Sequence, residues 1–184
     1  MQPTQKAARL ISGVKYQNIM NRYLYRGVNS DLYETTEGRL LPKTIGEDFK
    51  LGIKYGQGFK YGEITYGKSV KNAIVAHQKN SSTFPSSGIS TTPVFENAKA
   101  YALHKGKYTS GYVFKIDTEL LKSVGVMAYD VSEYAPAPAI PEDKEIILVA
   151  KDFGALPKEI VIEIIEVKVL NKANAADAKS RAAD

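Results

Sequence analysis

Three short stretches place chemically able side chains at points where a strand begins or ends. Tyr25–Arg26–Gly27 closes the aromatic run Tyr23–Val28. Arginine carries a forked, permanently charged group suited to planar anionic oxygens. A glycine beside it at a strand end leaves that side chain projecting into a cleft. Gly88–Ile89–Ser90–Thr91–Thr92 ends in three hydroxyls, which can orient a neighbouring carboxylate by hydrogen bonds. Asp143–Lys144–Glu145 leads straight into the apolar Ile146–Ile147–Leu148–Val149. A carboxylate at the mouth of such a strand is either a solvated strand start or a group positioned for chemistry. Thr92, followed by Pro93, is accounted for as a helix cap with proline at the first helical position. Capping leaves Ser90 unexplained.

Other chemistries are excluded by composition. The 184 residues contain no cysteine, so disulfides, thiolate zinc sites and thiol nucleophiles are absent. Only two histidines occur, too few for a histidine-based metal cluster. One of them, His77, falls on the apolar face of a predicted helix and reads as a satisfied structural histidine. The net charge of +5 is unevenly spread: residues 1–80 carry 13 basic and 6 acidic side chains, residues 81–184 carry 12 and 14. A basic half suits an anionic partner such as a dinucleotide, a nucleic acid or an acidic protein, and equally a merely solvated surface. No stretch is long and apolar enough to span a bilayer, and Met1–Arg9 lacks the apolar segment of a signal peptide.

The elements that must hold these residues follow from pattern. Residues 5–22 predict an amphipathic helix, with Leu10, Ile11, Val14 and Ile19 near helical spacing. Tyr23–Val28 is a strand ending in a turn at Asn29–Ser30–Asp31. The Gly- and Tyr-rich residues 50–68 read as a loop or irregular hairpin. Ser69–Gln78 is a helix, since Val70, Ala73, Ile74 and His77 share a face. Gly88–Thr92 is a short strand, and a helix starts at Thr92–Pro93 with Val94, Ala98, Tyr101 and Ala102 as its stripe. Gly111–Asp117 is a strand, Thr118–Ser123 a short helix and Val124–Tyr129 a strand. Residues 130–143, with Pro136, Pro138 and Pro141, form an extended loop. Lys144–Ala150 and Glu159–Leu170 are β-branched runs that look like paired strands. Residues 171–184 are polar and Ala-rich, a frayed tail after a single domain over 1–170. Helices early and strands late predict an α+β fold.

In this order and at these separations the three motifs resemble the Arg–Ser–Glu class of mono-ADP-ribosyltransferases, in particular the toxin domains attached to large bacterial secreted proteins. The resemblance covers about residues 20–170. It implies two small packed β-sheets with surrounding helices and a cleft for NAD, which is substrate, with no metal. Arg26, with Gly27, would anchor the dinucleotide. Ser90 would position the catalytic glutamate and contact the nicotinamide ribose, with Thr91 beside it. Glu145 would stabilise the ribosyl cation as nicotinamide departs, the electrostatic demand of oxocarbenium-like chemistry. Phe95 or Tyr101 would give the nicotinamide an aromatic platform, although core is the better reading for Tyr101.

One departure stands out. The family carries Glu or Gln two residues before the catalytic Glu, whereas this chain has Asp143, with Glu142 one residue further out. The group that would activate the acceptor is therefore shorter by a methylene. The resemblance further implies an effector acting in the cytoplasm of a target cell in bacterial competition, secreted or delivered without a signal peptide in this chain. Its partners would be NAD and a macromolecular acceptor, protein ahead of RNA, with an acidic immunity protein and no membrane. Two alternatives stay open: an NAD glycohydrolase or RNA-directed transferase on the same fold, and a basic nucleic-acid-binding module using the aromatic and basic residues of 54–68.

Overall fold

The computed structural model describes residues 21–54, 58–60 and 62–169. The helix expected over 5–22 lies outside these residues except for Asn21 and Arg22, which are not helical. The tail 171–184 lies outside them as well.

Alternation along the strands sorts the chain into layers. Strand β1 (Tyr23–Asn29) pairs antiparallel with β5 (Ser110–Asp117), which pairs antiparallel with β8 (Val161–Lys168). A second sheet sets β7 (Ile146–Val149) between β4 (Ile89–Thr91) and β6 (Met127–Asp130), all antiparallel. Leu24, Val28, Phe114 and Ile116 of the first sheet share one buried cluster with Ile89, Ile146 and Leu148 of the second. The intervening positions face outward to helices. Ile147 and Val149 meet Ala73, Ile74 and Val75 of α2 (Val70–Asn80), while Val113 and Val167 meet Ala98 and Ala102 of α3 (Phe95–Ala102). This is the expected α+β fold, two small antiparallel sheets with helices around them.

The two sheets touch at one backbone bridge, where Tyr25 donates to the Thr92 carbonyl at 2.7 Å and Thr92 donates back at 3.0 Å. Helix α3 can lie flat on β1 and β5 because both strands present glycine beneath it. A Cβ on Gly27 would stand 1.8 Å from the Ala98 carbonyl oxygen, and one on Gly111 would stand 2.5 Å from that of Ala102.

Several elements differ from expectation, each for a local reason. Asn29 does not open a turn: its side chain accepts from the Leu32 N–H at 2.8 Å and caps α1 (Ser30–Thr35). Thr92 does not cap α3, which begins at Phe95 after Val94; its hydroxyl accepts from the Val94 N–H while its backbone is held by Tyr25. Strands β7 and β8 do not pair with each other but belong to different sheets. Residues 130–143 are not purely loop. They include the short helix α4 (Val131–Tyr134) and a 3-10 turn at Pro141–Asp143. Of the stretch 50–68, residues 55–57 and 61 lie outside the described residues; β2 (Leu51–Gly52) pairs antiparallel with β3 (Lys68–Ser69). Buried Asn72 of α2 ties this stretch down, donating to the Thr65 and Gly67 carbonyls at 2.8 and 2.9 Å.

Candidate active site

Register places the reactive side chains at one corner, where β1, β4, β7, α2 and α3 converge. Arg26 shares its parity on β1 with Leu24 and Val28, so its side chain leaves the strand towards the second sheet. There it donates to the Ser90 carbonyl at 3.1 Å. Ser90 stands opposite Ile147, and both point towards α2 instead of into the layer between the sheets. Glu145 precedes β7 and has the same parity, so its carboxylate also meets α2. One further turn of that helix beyond Ile74 supplies His77 and Gln78.

The contacts in this corner form a chain. His77 Nδ1 lies 3.2 Å from Ser86 Oγ, and its Nε2 lies 2.9 Å from Ser90 Oγ and 3.7 Å from Glu145 Oε1. The Gln78 amide donates to the other Glu145 oxygen, Oε2. Burial pushes the His77 ring below its ordinary value; Glu145 opposes this, while Arg26 and Lys43 reinforce it. His77 is therefore neutral near pH 7, and one ring nitrogen accepts. Burial likewise lowers the Arg26 guanidinium against the opposing pull of Glu145 and Tyr101, yet arginine stays charged throughout the working range. Among the described residues no carboxylate forms an ion pair with Arg26. Its charge faces a cleft of about 220 Å³ lined by Arg26, Gly27, His77, Gln78, Ser90, Tyr101, Asp143 and Glu145.

A second carboxylate is held from the opposite side. The 3-10 turn Pro141–Asp143 ends at Lys144, whose φ of 47° is left-handed. That single residue costs on the order of 1 kcal/mol and redirects the chain so that Asp143 and Glu145 both line the cleft. Asn97 of α3 donates to Asp143 Oδ1 and to the Glu142 carbonyl, each at 3.1 Å. The Tyr101 hydroxyl donates to Asp143 Oδ2. Burial and the bond to Asp143 raise the Tyr101 hydroxyl above its ordinary value, so it keeps its proton. Asp143, Tyr101 and Ile140 also border an adjoining groove of about 380 Å³ with Asn97, Ala100 and His104.

Some sequence expectations need correction here. Tyr101 is not a core residue: it is 44% exposed on the cleft side of α3. Phe95 is not at the cleft. Its ring sits edge-on to Tyr25, with centroids 5.6 Å apart, beside the cluster under α3, because α3 begins at Phe95 and turns that residue towards the sheet. Thr91 reaches the cleft wall, but its buried hydroxyl is spent on the Ile146 carbonyl at 2.7 Å, pinning β4 to β7. Ser90 Oγ lies 2.9 Å from His77 Nε2, which in turn lies 3.7 Å from Glu145 Oε1. His77 is hydrogen-bonded at both ring nitrogens, to Ser86 and Ser90, as a satisfied histidine, and it also lines the cleft through Nε2. Gln78 and Asn97 carry no signal in the sequence, being polar residues at ordinary helical positions. Phe59, in the stretch considered for base stacking, packs on Phe84 with Lys79 over its ring.

Two antiparallel sheets bridged beside an arginine, with a carboxylate at the mouth of the central strand of one, are compatible with an ADP-ribosyltransferase-like fold. Residues 23–148 match the model of the NarE family, which is ADP-ribosyltransferase-like. The match takes in Arg26, Ser90 and Glu145, and the chain belongs to that family. No curated protein matches it significantly. Among the described residues no cluster of His, Asp and Glu is arranged to hold a metal ion, and no helix is long and apolar enough to cross a membrane.

Proposed function

We propose that the protein cleaves NAD and transfers its ADP-ribose to a macromolecule, a protein by preference, as a toxin-type effector. The observation that carries this reading is the convergence of Arg26, which among the described residues has no ion-pair partner, with Glu145 across one small cleft. The cleft volume, about 220 Å³, falls below the roughly 300–1,000 Å³ of sites that enclose drug-sized ligands. It suits the reacting end of a dinucleotide, with the remainder outside.

The residues divide the work by charge. Arg26 offers forked donors to a phosphate. When the bond between nicotinamide and ribose breaks, its electron pair leaves with nicotinamide and positive charge develops on the ribose. Glu145, partly buried at the cleft, supplies the fixed negative charge facing it. His77, neutral, adds no opposing charge. The acceptor nucleophile then bonds to the ribose carbon and gives up a proton. Asp143, on the wall shared with the outer groove, is placed to take it. Tyr101, in place of Phe95, offers the aromatic face at the cleft.

The test is nicotinamide release from NAD by the wild-type protein and by Glu145→Gln. The substitution is nearly isosteric and removes the charge, so the rate is expected to fall by about 100-fold or more, with circular dichroism unchanged. A folded Glu145→Gln protein that releases nicotinamide at the wild-type rate would refute the reading.

A further inference from the structure

Glu145 is held by a residue that the resemblance does not mention. Gln78 uses both ends of its amide: the NH2 donates to Glu145 Oε2, and Oε1 accepts from the Ala139 backbone N–H at 3.0 Å. Those two partners bracket the proline-containing loop that also delivers Asp143, whose other anchors are Asn97 and Tyr101. One amide therefore joins the carboxylate at the cleft to the loop on the outer-groove side. A carboxylate on a flexible two-carbon stem explores several rotamers unless fixed, and catalysis rewards groups fixed before the charge develops.

We propose that Gln78 is a positioning residue for Glu145, orienting its carboxylate towards the cleft and locking the 135–143 loop in the same bond network. This rests on the NAD-cleaving reading above. The geometry divides Glu145's oxygens between tasks: Oε2 is held by Gln78, and Oε1 lies towards His77 with lone pairs left for a ribose hydroxyl. The neutral amide is the appropriate holder, because it donates to the carboxylate without neutralising it. A lysine there would cancel the charge, and a second carboxylate would repel it. Besides Gln78, the charged or titratable groups that face Glu145 are Arg26 from β1, His77 from α2, Tyr101 from α3 and Asp143 from the turn before it.

Two variants separate positioning from mere structure. Gln78→Leu keeps the side chain's bulk and removes both bonds. Gln78→Glu keeps an acceptor for Ala139 but sets a carboxylate against Glu145. Nicotinamide release is measured across pH 5.5–9, with KM for NAD and kcat determined separately. For Gln78→Leu, kcat is expected to drop about tenfold or more while KM moves little, since the lost bond is to a charged group. For Gln78→Glu, the acid limb of the pH–kcat profile is expected to move up by about one pH unit or more, because two carboxylates in contact share a proton. A residue that only supports the fold would lower Tm without a selective fall in kcat of the folded protein. If the leucine variant does not fold, the glutamate variant, with its loop bond intact, carries the test alone. An active wild type together with an unmoved acid limb in Gln78→Glu, or wild-type kcat in a folded Gln78→Leu, would overturn the positioning role while leaving the NAD reading standing. A wild type that releases no nicotinamide would overturn both.

Discussion

A single methyl group added at Gly27 would collide with backbone, not with a side chain that can turn away. Its Cβ would lie 1.8 Å from the Ala98 carbonyl oxygen and 2.8 Å from both the Ala98 carbonyl carbon and the Ala102 nitrogen. To restore even a 3.0 Å separation, α3 must retreat by about 1.2 Å. That lifts Ala98 and Ala102 off Val113 and Val167, and carries Asn97 away from Asp143, beyond the reach of a bond now 3.1 Å long. Overpacking against backbone costs roughly 3 kcal/mol, the upper end of the usual range. For a domain of this size that lowers Tm by roughly 6–12 °C. Thermal unfolding of Gly27→Ala by circular dichroism or calorimetry checks the magnitude. Nicotinamide release at a temperature where the variant is still folded checks whether the shift reaches the site. A Tm within about 2 °C of wild type would refute the close-approach argument. Gly27 would then be conventional strand, and its place in the motif would need another reason.

Arg26→Ala is expected to weaken NAD binding by about tenfold or more with a much smaller effect on Tm; calorimetric titration with a non-hydrolysable analogue checks this, and equal affinity would remove Arg26 from the site. Asp143→Ala is expected to suppress transfer to the acceptor while sparing most NAD hydrolysis, and Tyr101→Phe to do so in part by freeing Asp143; labelled NAD with a bacterial lysate measures both activities. His77 makes stability pH-dependent. Its pKa in the folded protein is depressed below 6.5, so from there downwards the unfolded chain binds a proton that the folded protein refuses. Stability is then lost as pH falls below about 6.5, by at most roughly 1.4 kcal/mol per pH unit, until the depressed pKa is passed. Denaturant titrations at pH 7, 6 and 5 should show a shallower loss in His77→Asn, and identical slopes would contradict a buried neutral imidazole.

Local pattern carried much of this protein. Aromatic and β-branched runs located β1, β5 and β8, and the apolar face of Val70, Ala73 and Ile74 located α2, because strand and helix periods depend on near neighbours alone. The family resemblance rested on Arg26, Ser90 and Glu145, and its motif order survives any uncertainty about where elements start. Boundaries were harder. Asn29 looks the same in sequence whether it opens a turn or caps a helix, and Thr92 gave up its capping role because Tyr25, 67 positions earlier, had claimed its backbone.

The partners of each reactive group depended on tertiary structure. Which sheet takes β7 and which takes β8 is a matter of long-range pairing, and both runs are rich in β-branched residues. Parity then decides the rest: with Ile146 and Leu148 facing the other sheet, Glu145 must face α2, where His77 and Gln78 occupy the next turn after Ile74. A histidine on an apolar helix face is core or site according to what the opposite strand presents. Here β4 presents Ser90, and Glu145 stands immediately before β7. Periodicity reports which side chains share a face; only the packed sheets determine what that face meets.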